Sequence, residues 1–80
     1  MHFLKYFFII MSATVTIKNT KGEEKKVRLN LMDKISKAKT KSGEVGATWK
    51  FGESVLDDNK KVMDYYLENG DVIMSTSGSG

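Results

Sequence analysis

Two runs of alternating side chains, one on either side of Gly22, constrain the fold of this chain more than any other feature. In the first, Ala13, Val15 and Ile17 alternate with Thr14, Thr16 and Lys18; in the second, Val27, Leu29 and Leu31 alternate with Lys26, Arg28 and Asn30. A period of two places each set on its own face of an extended strand. Between the runs, "NTKGEE" carries a glycine that reaches left-handed backbone conformations without steric cost. The reading is a β-hairpin with one apolar face, and a lone hairpin is marginal in water until that face is covered.

A change of period supplies the cover. In "LMDKISKAKTKSG" the apolar positions Leu31, Ile35 and Ala38 fall at helical spacing, Asp33 suits the first turn, lysines crowd the last turn, and Gly43 follows as a stop. A helix this short does not stand alone in water, so its Ile35 and Ala38 face is expected to pack on the hairpin. Alternation returns at Ala47, Trp49 and Phe51, turns at Gly52, and resumes briefly at Val55 and Leu56. "DDNKKVMDYYLENGD" opens with capping residues and spaces Val62, Tyr65 and Tyr66 for one or two helical turns. Asn69 and Gly70 then turn the chain into a last strand, "DVIMST".

The order is strand, strand, helix, strand, strand, helical turn, strand: an α+β domain with a mixed sheet and one helix across it. If the first and last strands are neighbours they run parallel, which is the β-grasp arrangement. The expected core is Val15, Ile17, Val27, Leu29, Leu31, Ile35, Ala38, Trp49, Phe51, Leu56, Val62, Leu67, Val72 and Ile73, with Met63 and Met74 filling gaps. Trp49 is its anchor, Tyr65 and Tyr66 divide between core and rim, and Asp57 and Asp58 read as caps or solvated acids.

With 80 residues there is room for one small domain, so function belongs to its surface or its ends. The absence of cysteine and the single His2 leave no thiol nucleophile and no ordinary zinc ligand set. An enzyme is not expected, nor a cofactor or metal, and a cysteine-free chain suits a reducing compartment, the cytoplasm or nucleus. "MHFLKYFFII" is apolar, but Lys5 interrupts it and it falls far below the roughly 20 residues that span a bilayer. Residues 1–11 read as an apolar extension, 12–76 as the domain, and 77–80 as a flexible tail on a monomer that does not enter a membrane.

The net charge of +3 hides two opposite halves. From Lys18 to Lys41 the basic residues exceed the acidic ones by six, and from Ser42 onward the acids exceed the bases by four. A solvated surface accounts for most such charge. Nucleic acid ranks last among partners, because no exposed aromatics interleave with the lysines.

The stretch "FGESVLDDNKKVMDYYLENGDVI" resembles the ubiquitin-like family: a Phe-ended strand, a tight turn, an apolar residue followed by acids, a tyrosine-bearing turn and a final strand. The ending "LENGDVI" is most similar to the SUMO branch, and the resemblance spans Ala13 to Gly80. It implies a modifier joined through Gly80 to lysines of target proteins by activating and conjugating enzymes. The tail Gly78, Ser79, Gly80 stands where family modifiers carry two successive glycines, and Ser79 departs from that pattern. On composition the tail reads equally well as an inert Ser/Gly end.

Two further departures are a helical segment shorter than the family's and Lys50, which stands where ubiquitin presents an apolar contact residue. The alternative is a non-conjugated interaction module. In it Arg28, Lys34, Lys37 and Lys41 flank a groove that takes an extended apolar peptide with acidic neighbours, as the SUMO branch does.

Overall fold

The computed structural model describes residues 11–76, so the expectations for the apolar extension before Met11 and for Gly78, Ser79 and Gly80 lie outside the described residues. The elements are β1 (Ser12–Asn19), β2 (Glu24–Asn30), α1 (Ile35–Lys41), β3 (Thr48–Phe51), β4 (Ser54–Val55), a 3-10 turn (Val62–Tyr65) and β5 (Val72–Thr76). The expected element order is therefore the observed one.

The hairpin forms around Asn19. Its side-chain Oδ1 accepts the backbone N–H of Lys21 at 2.9 Å and of Glu23 at 3.0 Å, and Gly22 follows the turn at φ +86°. Antiparallel pairing then runs from Lys18↔Glu24 to Ser12↔Asn30, and puts Ala13 opposite Leu29 and Val15 opposite Val27. β5 inserts beside β1 in parallel, with Ile17 opposite Ile73, and pairs antiparallel with β3 on its other side. The strand order is β2-β1-β5-β3-β4. Bringing the last strand to the middle of the sheet is what encloses the helix, because every apolar strand face is then directed at the same layer.

That layer holds Val15, Ile17, Leu29, Ile35, Ala38, Trp49, Leu56, Val62, Leu67 and Ile73, all buried, together with Ala13. Trp49 and Ile35 are wholly enclosed. Val27, Leu31 and Phe51 pack against the cluster while partly buried, and Tyr65 joins them as Tyr66 faces solvent.

Three core expectations need correction. Val72 is 44% exposed, because it neighbours Ile73 on a strand where only one of two successive side chains can face inward. Met63 and Met74, expected as gap fillers, are exposed at 45% and 43%. Met74 shares the outward face of β5 with Val72, in register with Lys18 on one side and Lys50 on the other.

The helix also begins later than the spacing predicts. Leu31 and Asp33 precede it, and its first turn carries no acidic residue and no side-chain cap. Its leading N–H groups are met by backbone instead: Ile35 N–H donates to the Lys60 carbonyl at 2.8 Å and Ser36 N–H to that of Asp58 at 3.2 Å. Val62 N–H returns the bond to the Asp33 carbonyl at 2.9 Å. The seven-residue helix is thus sewn to the segment after β4. Among the described residues no helix is long and apolar enough to cross a membrane.

Candidate functional site

β2 forms one edge of the sheet, and the two-residue β4 forms the other. The hydrogen bonds that frame the hairpin, Leu31 N–H to the Met11 carbonyl at 2.8 Å and Asn19 N–H to that of Glu23 at 3.0 Å, fix which residues face which way. Antiparallel ladders alternate bonded and non-bonded pairs, so Lys25, Val27 and Leu29 direct their backbone groups at β1. Lys26 and Arg28 direct theirs outward. Among the described residues no strand pairs with these groups, so the edge offers N–H and C=O groups at the spacing of a β-ladder, the feature to which an added strand binds.

Side chains flank this edge on both faces of the sheet. Arg28 is paired with Thr14 and lies on the face away from the core, where its Nε donates to Ser12 Oγ at 3.2 Å. On the opposite face Lys25, in register with Ile17, reaches across to α1, where its Nζ donates to the Ser42 carbonyl at 2.6 Å. The C-terminal end of α1 thus lies over the start of β2. Lys37 and Lys41 both turn to Asp33, at 3.8 Å and 2.8 Å, and keep side chains that are 63% and 55% exposed. Lys34 sits at the helix entry with its backbone bridged to Lys61. The four expected cations accordingly do not converge: Arg28 lies on the outer face, while Lys34, Lys37 and Lys41 line the helix side.

Two further charged groups lie inside the fold, and the sequence reading passed over both. Lys39 is 6% exposed, with Nζ 2.6 Å from Asp58 Oδ1 and 5.9 Å from the centroid of the Trp49 ring. In the sequence it is one lysine among several in the last helical turn, and only helical phase sets it apart, one residue after Ala38 on the inward side. Glu44, in the loop after α1, accepts the Ser75 hydroxyl at 2.5 Å, Lys25 Nζ at 3.0 Å and Trp49 Nε1 at 3.4 Å.

Burial alone would raise the pKa of Glu44. The hydrogen bonds from Ser75, Lys25 and Trp49 outweigh it and hold the carboxyl below its ordinary value. No sequence motif announces this junction, because its members come from four separate segments. It ties β2, the loop, β3 and β5 together, so its chemistry is structural. Among the described residues no group of His, Asp or Glu side chains is placed to hold a metal ion.

A scan against protein-family models finds no match, and no curated protein sequence matches. The fold is similar to the solution NMR structure of the ubiquitin-like domain of an Arabidopsis thaliana protein. The TM-score is 0.75 at 17% identity, over 86% of this chain and 80% of that one. The five-stranded mixed sheet, with one short helix among the described residues, is thus a ubiquitin-like β-grasp, an α+β fold.

Proposed function

We propose that this ubiquitin-like fold serves as a protein-binding module that takes an extended apolar peptide with acidic neighbours along the outer edge of β2. The observation that carries the reading is the outward direction of the Lys26 and Arg28 backbone groups on a seven-residue edge strand. Backbone hydrogen bonds would supply affinity. Arg28 on one face and Lys37 and Lys41, which share the single carboxylate of Asp33, on the other would draw in acidic side chains and repel a second copy of the same basic edge. A position in the cytoplasm or nucleus accords with partners of this kind.

The test uses an edge position whose N–H does not serve the hairpin. Lys26→Pro removes an outward donor while leaving the bonds to β1 in place, and proline is tolerated where the N–H faces solvent. Titration of the labelled chain with a short Val/Ile-rich peptide followed by glutamates should shift amides from Lys25 to Leu31. The variant should lose that response and keep its melting transition. Shifts scattered over the whole surface, or an unaltered affinity in Lys26→Pro, would exclude strand addition here.

The glycines after β5 favour a second reading, in which the chain is a modifier attached through Gly80 to lysines of target proteins. Incubation with ATP and lysate from the source cells should then give higher-mass adducts that vanish on deletion of Gly80. Their absence would leave the binding module alone.

A further inference from the structure

Lys34 and Lys61 face each other across an isolated antiparallel bridge. The bonds that flank it, Ile35 N–H to the Lys60 carbonyl and Val62 N–H to the Asp33 carbonyl, make it the non-hydrogen-bonded kind of pair. In such pairs the two side chains stand closest and on the same side of the backbone, and like charges so placed repel. Both lysines are exposed, and neither takes part in a salt bridge among the described residues.

Two of the acids nearby already hold other lysines, Asp33 with Lys37 and Lys41 and Asp58 with Lys39. Asp57 and Asp64 accept backbone N–H groups, Asp64 Oδ2 that of Lys61 at 2.9 Å. Lys60, next in the chain, is also exposed and outside any salt bridge among the described residues. Beside the pair in sequence, Met32 and Met63 are 46% and 45% exposed, and the turns that carry them are joined by the Met63 N–H bond to the Leu31 carbonyl at 3.0 Å.

We infer that the opposed Lys34–Lys61 pair is an anion-binding site for the phosphate monoester of a phosphorylated peptide, with Met32 and Met63 receiving an apolar side chain of that peptide. Two lysines on directly opposed backbone positions can both reach one dianion. A phosphate monoester carries about −1.5 to −2 at neutral pH and offers three acceptor oxygens, where a carboxylate carries one charge. Binding would cancel the repulsion built into the bridge. Because Lys61 belongs to the segment after β4, the inference does not depend on strand addition at β2.

The experiment titrates the labelled chain with a short phosphoserine peptide carrying a leucine, with its unphosphorylated twin, and with inorganic phosphate. The phosphopeptide should shift amides at residues 32–35 and 60–63, and should bind at least about tenfold more tightly than the other two probes. Lys34→Gln and Lys61→Gln should each weaken binding by about tenfold or more while the melting temperature holds or rises, since either change removes the repulsion. Equal affinity for the twin, equal affinity for inorganic phosphate, shifts spread over the lysines at large, or undiminished binding in both variants would each overturn the proposal.

Discussion

The hydroxyl of Ser75 on β5 donates to Glu44 Oε1 at 2.5 Å, so the last strand is tied to the loop that follows the helix. Ser75 is 5% exposed, and a buried hydroxyl without a partner is costly. Glu44→Ala should therefore destabilise the domain by about 1–3 kcal/mol, read as a fall in the urea midpoint at neutral pH. A variant that melts like the parent would show that the junction carries no stability.

The same carboxyl makes stability depend on acid. Its folded pKa lies below its ordinary value, so its contribution is whole above the unfolded value of about 4.3 and declines as pH falls through the lower folded value. Comparing urea midpoints at pH 7 and pH 3 should give a larger loss for the parent than for Glu44→Gln, which has no proton to gain. Parallel curves for the two proteins would dissociate Glu44 from the acid response.

Lys39 presents a different balance. Its ammonium group is enclosed while its partner Asp58 is half exposed, so Asp58→Asn strands a buried charge and should cost about 1–3 kcal/mol. Replacing the charge as well, in Lys39→Met with Asp58→Asn, should recover most of that loss, because an apolar side chain of similar length suits the space beside Trp49. A double variant as unstable as the single one would mean that the pair contributes by more than neutralising Lys39.

Trp49 is wholly buried at the centre of the layer between sheet and helix. Trp49→Ala should remove about 3–5 kcal/mol, most of the reserve of a domain this small, and abolish a cooperative thermal transition. A retained sharp transition would place the core elsewhere.

Tyr66 occupies the left-handed region at φ 54°, ψ 40° and is 86% exposed. A bulky residue there is strained, whereas asparagine visits the region readily. Tyr66→Asn should stabilise the fold by up to about 1 kcal/mol, seen as a higher melting temperature. A lower one would reveal contacts of the ring that outweigh the strain.

Much of the architecture is legible in the residues because it rests on local periodicity. Val15, Ile17 and Leu29 alternate as buried strands must, and Gly22 turns the chain where a left-handed residue is needed. The start of α1 is not legible, since the groups that satisfy its N–H donors are carbonyls of Asp58 and Lys60, and carbonyls leave no trace in composition. Asp33 looks like a first-turn acid and serves instead as the anchor of Lys37 and Lys41. Lys34, Arg28, Lys37 and Lys41 share a stretch of sequence, yet strand alternation sends Arg28 to the other face of the sheet. Glu44 and Lys61 gain their neighbours only through distant pairing, which no window along the chain reveals.

The carbonyl bonds at the entry of α1 carry a consequence for biosynthesis. A ribosome delivers Ile35 well before Lys60, so the nascent helix waits with bare amide donors while the intervening residues emerge. Consolidation of the spiral, and shelter for the oily side of the hairpin beneath it, must come late and nearly at once.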